Sequence, residues 1–237
     1  KDDFKRLSER LRAESGNQVE GRPEDEQKRV SSLPGRAVTE HNFLVTWTGK
    51  DRAAGHIFDL KLDNRGPELV SVSLSPGMVL LPPDPAYQRM MLGSPLVAEV
   101  PPGTACEVPV HGYCLDPGLL PPGPRPMTYL TICPELVPGF ENFKSIVEAG
   151  NQLANDNAYR NLFEPQRYKE TVIQRALWYE ASKDQPKPYD REKLKIDLTQ
   201  QLKDAGKNPE PEQVKEASNS LWSDVDLTLK KSSAKSR

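Results

Sequence analysis

The chain changes its hydrophobic period once, and that change limits what it can fold into. From Asn42 to Cys133 the pattern is period two, in eight short runs: FLVTWT, GHIFDLKLDN, ELVSVSLSP, GMVLLPP, AYQRMML, PLVAEVPP, ACEVPVHGYC and MTYLTIC. Beyond Pro134 the apolar residues recur three and four apart. Period two dries one face of a strand, whereas a period near 3.6 dries one stripe of a helix. The chain therefore reads as α+β, with a strand-rich half followed by a helical half. The second run shows the logic: Phe58, Leu60 and Leu62 alternate with Asp59, Lys61 and Asp63. The third repeats it, with Val70, Val72 and Leu74 set against Ser71 and Ser73. Asn64, Arg65, Gly66 and Pro67 form the turn between them, and VPPG at Val100 to Gly103 forms a rigid corner between two further strands.

Short strands separated by Gly, Pro, Asn and Asp turns predict seven or eight antiparallel strands in an immunoglobulin-like β-sandwich over residues 39–137. The 23 prolines, roughly twice ordinary usage, fit a turn-rich folded protein. A small helical bundle is expected over 138–229. Phe143, Ile146, Val147, Leu153 and Ala154 mark its first helix. A second begins near Pro165 and carries Val172, Ile173, Ala176 and Leu177, and Pro186 and Pro188 end it. Asp190 is the N-cap expected for a third helix bearing Leu194, Leu198 and Leu202, with Gly206 as its stop. A fourth follows Pro209 and Pro211 with Val214, Ala217, Leu221 and Val225. Residues 230–237, KKSSAKSR, read as a basic disordered tail. At the other end, residues 1–38 read as a short helix and a flexible arm. Phe4, Leu7 and Leu11 form the helix's apolar stripe, and the arm is nearly devoid of apolar residues.

All three cysteines fall in one short window, at Cys106, Cys114 and Cys133. Cys106 and Cys114 share parity on one strand, too far apart to bond to each other without a bend. A Cys106–Cys133 disulfide with Cys114 free is the expected pairing; three small buried hydrophobes are the alternative. The bridge would place the protein in an oxidising compartment. A chain beginning at Lys1 without a signal-peptide pattern then reads as a trimmed product.

Tyr113 and Cys114, followed by a proline loop, and then Gln174, Ala176, Leu177 and Trp178 in IQRALW resemble the thioester, or TQxA, domains of bacterial surface adhesins. Ile173 stands where that family usually carries threonine, and the likeness covers only these two short pieces. The resemblance implies a covalent bond between Cys114 and the side chain of Gln174, able to acylate amines on a target surface. Read from the residues alone, Gln174 falls between Leu177 and Trp178 on the drier side of its helix and needs a polar partner. Backbone groups of the strand half, pinned by its amide, would satisfy it without any chemistry.

Other constellations are sparse. His41, His56 and His111 lack metal-ligand spacing, so no metal or other cofactor is expected. The glycines make no nucleotide-binding string, and the serines make no nucleophile elbow. A net charge of -2 gives no attraction to nucleic acid, and no apolar run is long enough to span a membrane. Tyr87, Met90 and Met91 form a candidate soft contact patch. Pro121 and Pro122 sit in a stiff ridge that could fill a partner's groove. The expected function is non-enzymatic: an exported or cell-surface structural or adhesion module that binds a protein partner or self-assembles. A thioester adhesin is the first alternative, and an enzyme with an unrecognised cleft is the second.

Overall fold

The computed structural model describes residues 42–137, 139–153, 165–204, 206, 208 and 210–235. The helix and arm expected over residues 1–38, with Phe4, Leu7 and Leu11, lie outside the described residues, as does His41. The eight period-two runs all form strands, labelled in chain order β1 (Phe43–Gly49), β2 (Ala54–Asn64), β3 (Val70–Leu74), β4 (Val79–Leu81), β5 (Met90–Leu92), β6 (Leu96–Val100), β7 (Thr104–Cys114) and β9 (Leu130–Ile132). The additional β8 is only Pro126–Met127, laid against the end of β1.

Seven strands make one sheet in the order β8-β1-β2-β7-β5-β4-β9, and β3 pairs with β6 as a separate two-stranded sheet. Every strand pairing is antiparallel. The chain crosses to the small sheet for β3, returns to the large sheet for β4 and β5, crosses again for β6 and comes back for β7. The first and last of these crossings meet at Asn64, whose Nδ2 donates to Glu68 O at 2.7 Å and to Val100 O at 2.8 Å. Its Oδ1 accepts from Gly66 N at 3.0 Å, so the Asn64–Pro67 turn is a corner between sheets rather than a hairpin.

Two cores follow from the two faces of the large sheet. Phe58, Leu60, Leu62, Val110 and Cys114 on one face bury against Val72, Leu74, Leu96 and Val100 of β3 and β6. Val79, Leu81, Met91, Tyr113 and Ile132 on the other face bury against the helices. Strands β4 (VLL) and β5 (MML) are covered on both faces and are accordingly buried at every position, while β1 and β2 largely alternate. A strand covered on both sides reads as a continuous apolar run.

Four helices follow: α1 (Phe140–Asn151), α2 (Pro165–Ser182), α3 (Arg191–Asp204) and α4 (Pro211–Lys235). Asp190 caps α3 as expected, its Oδ1 accepting from Lys193 N at 2.9 Å, and Gly206 follows the helix with φ of 71°. Helix α4 packs against the other three, and α2 lies on β2 and β7. Gly150 permits the α1–α2 approach, since a Cβ there would sit 2.2 Å from Ile173 Cγ1. The tail expected to be disordered is a correction: α4 continues to Lys235, because Thr228 and Ser232 are buried and keep the last turns on the protein.

Candidate functional site: the Cys114 and Gln174 junction

Strand β2 begins at Ala54, opposite Tyr113 on β7, so the next position of β7 runs past the end of its neighbour. That position is Cys114. Its backbone N–H donates to Ala53 O at 2.7 Å and to Gln174 Oε1 at 2.9 Å. Its carbonyl accepts from Gln174 Nε2 at 2.8 Å. The Gln174 amide thus stands in for a missing strand residue and completes the ladder from the side of α2. Both residues are buried, and a buried amide with neither group paired would be costly.

In a strand the backbone pairs in the plane of the sheet while the side chain stands perpendicular to it. The Cys114 thiol accordingly enters the core beneath β3 and β6, fully buried. Burial pushes that thiol up to about 12, against the opposing influence of the Trp178 indole N–H and the Asp116 backbone N–H. Trp178 Nε1 is itself buried without an acceptor in good hydrogen-bond geometry, and the sulfur is the group it acts on. Just downstream, Asp116 is held by Arg89, whose backbone N and Nε donate to Oδ2 at 2.9 and 2.7 Å. This fixes the exit of the chain from β7.

Behind the junction lies a polar cluster that the spacing of the sequence does not announce. Arg175 is only 4% exposed and stacks between Trp178 and Tyr189, 4.6 and 5.3 Å from the ring centres. Its Nη1 donates to Asp197 Oδ2 at 3.1 Å, and the Tyr189 hydroxyl donates to the same oxygen at 2.9 Å. Ser182 Oγ donates to Trp178 O and accepts from Tyr189 N, both at 2.7 Å. The one available signal was a lone arginine inside the apolar run VIQRALW.

The other expected sites fare differently. Cys106, Cys114 and Cys133 are all free, and the Cys106–Cys133 bridge is not formed. Cys106 pairs with Leu62 near the start of β7, whereas Cys133 follows β9, three places away in the strand order. Parity placed Cys106 correctly, with Val108, Val110 and Cys114, on one core face. It carried no information about the order of the strands.

Met90 and Met91 are not a contact patch: both are fully buried in β5, one in each core. Tyr87 is half-buried and bridges to Leu120. Pro122 is buried and Pro121 half-buried, and the proline loop is stitched to the sheet end. Gly49 N donates to Gly123 O at 3.0 Å, Asp51 N to Pro122 O at 2.9 Å and Gln88 N to Leu120 O at 2.9 Å. The loop closes the end of the sheet instead of standing off as a ridge.

His56 and His111 stack with ring centres 5.6 Å apart, and His56 Nε2 lies 2.7 Å from Asp59 Oδ1. Among the described residues no group of three or more His, Cys, Asp or Glu is placed to hold a metal ion, and no helix is long and apolar enough to cross a membrane. An open groove of about 740 Å³ between α2 and α4 is lined by Tyr179, Trp222 and Leu229 with Asp226, Lys230 and Ser233. No family model, no curated protein and no solved structure matches this chain.

Proposed function

We propose that this protein is a non-enzymatic recognition and assembly module of a cell surface, an immunoglobulin-like sandwich carrying a small helical bundle clamped to it. The two-stranded β3–β6 sheet is then the second layer of the sandwich, sharing a core with Phe58, Leu60 and Leu62. Residues 39–137 and 138–229 are its two parts, joined rigidly at the Cys114 junction. The cell-surface placement rests on the two short motifs alone, because free cysteines supply no oxidised bridge. One observation supports reading this junction as structural rather than nucleophilic. The buried amide of Gln174 is spent on the backbone of Cys114, and the thiol beside it is held protonated at neutral pH. A thiolate, not a thiol, is the competent nucleophile. Multi-angle light scattering over a wide concentration range, combined with retention of the labelled full chain on intact cells of its source, tests the reading. A chain that stays monomeric and is not retained would overturn it.

The second reading, a thioester adhesin, is favoured by the same juxtaposition: Cys114 and Gln174, sixty residues apart in sequence, share one buried site. The thiol would add to the amide carbon of Gln174, forming a C–S bond. The C–N bond would break, and the nitrogen would leave as ammonia with the thiol proton. An amine of the target would then take the acyl group and return the thiol. Intact-mass measurement decides this reading, which requires a loss of about 17 Da and a methylamine adduct at Gln174.

A further inference from the structure

Among the described residues, the seven-stranded sheet leaves a stretch of edge along β1 without a neighbouring strand. β8 pairs only with Trp47 and Thr48, so Phe43 to Thr46 are flanked by a strand on one side alone. The direction of the backbone groups follows from the neighbouring hydrogen bonds. Lys50 N donates inward to Ile57 O and Gly49 N outward to Gly123 O, both at 3.0 Å. With the period of two, the N–H and C=O groups of Phe43 and Val45 turn outward, where they meet no partner among the described residues.

The rest of that sheet's boundary is blunted in the ways that prevent pairing. β8 is two residues long and contains Pro126, β9 is three residues long, and the stretch of β7 beyond β5 carries Glu107 and Pro109. β1 has none of these devices between Phe43 and Thr46. It presents Leu44 at 50% exposure on its outer face, and half-buried Phe43 and Val45 at the rim of the core.

We propose that this edge is a self-association site, at which two copies of the chain pair β1 to β1, antiparallel, across a two-fold axis at Leu44. The proposal rests on the assembly reading and names the partner as a second copy. The register is self-complementary. Phe43 of each copy faces Val45 of the other, so their outward groups exchange four hydrogen bonds. Leu44 meets its own copy in the close, non-hydrogen-bonded position, where the Cβ atoms lie about 4.5–5.5 Å apart. Thr46 faces Asn42 of the other copy, and the pairing stops where β8 occupies the edge at Trp47.

Electrostatics permits this register. Asp63, the neighbour of Leu44 on β2, would be three strand spacings, about 14 Å, from its copy, beyond the Debye length of about 8 Å. Asp63 is also paired with Arg65 at 2.8 Å. Five paired residues bury far less than the roughly 1,200 Å² of a stable dimer, so the association is a weak, concentration-dependent one.

Sedimentation of the full chain from about 5 µM to about 1 mM tests the proposal. The expected result is a concentration-dependent rise from 26.5 kDa toward twice that mass. V45P removes one outward N–H without touching a bond to β2, and L44K places like charges on the axis. Each should weaken association at least tenfold with an unchanged melting temperature, whereas I196K, at an exposed site on α3, should leave it unchanged. Should V45P itself unfold, L44C decides, because oxidation must link it as a dimer through residue 44. A wild-type chain monomeric throughout, V45P and L44K that are folded and dimerise normally, or an L44C that dimerises but cannot be linked would each overturn the proposal. A monomer that still binds its source cells would leave the assembly reading standing and sink only this site.

Discussion

At the residue scale the decisive group is the side chain of Gln174. Replacing it with alanine leaves the Cys114 carbonyl without its donor and opens a small void, so Q174A should cost about 2–3 kcal/mol in urea unfolding. Q174E keeps an acceptor for Cys114 N but sets a carboxylate against the Cys114 carbonyl. Its stability should improve as pH falls from 7 toward 4, because protonation restores a donor and removes a buried charge. The thiol next to it gives a second measurable consequence. With its pKa pushed up to about 12, Cys114 should remain unmodified by a thiol reagent at pH 8 in the folded protein, while half-buried Cys106 and Cys133 react first. Rapid native labelling of all three would contradict this burial. Little of that was legible beforehand: the wheel placed Gln174 on the dry side of α2, but it could not say which backbone group the amide would meet.

Among the elements, β7 and α2 carry the connection between the halves. β7, like β4 and β5, sends residues into both cores, with Val110 and Cys114 on one side and Tyr113 on the other. It needs a close neighbour at Gly112, where a Cβ would lie 2.4 Å from Met91 O, a backbone atom that cannot rotate away. G112A should therefore destabilise the fold by on the order of 3 kcal/mol, measured as a shift in the denaturant midpoint. The α3 cap is a milder case. D190A removes the acceptor for Lys193 N and should cost about 1 kcal/mol.

The elements read best from sequence were those with one wet face, β1, β2 and β3, and the capped α3. Met90 and Met91 were misread because an apolar run looks the same in an exposed patch and in a strand covered on both sides. β8 left no pattern at all, since two residues are too few for a period and it exists only because the end of β1 lies beside it.

For the whole molecule, the two cores are coupled through Trp178, which packs against both and stacks edge-on with Tyr189 at 5.4 Å. W178A should cost about 3–5 kcal/mol and separate the single unfolding transition into an earlier loss of the helices and a later loss of the sheet. Far-ultraviolet circular dichroism and near-ultraviolet signals would then cease to coincide. Alkali should dissolve the same assembly. Burial raises Cys114 and Tyr129 to about 12 in the folded state, so the folded chain holds protons that the unfolded chain releases. The stability they contribute is complete below about pH 9 and is lost as pH climbs through 12.

The sequence by itself determined the order of strands then helices over the described residues as far as Leu229, the strand parities that set Cys106 and Cys114 on one face, and the cap and stop of α3. These follow from local periodicity and backbone chemistry, which neighbouring residues specify. Only the tertiary structure decided the strand order that keeps Cys106 away from Cys133, the burial of Met90 and Met91, and the seating of Gln174 on the open end of β2. Each of those depends on which surfaces meet across long stretches of chain, and a period carries no information about its partner.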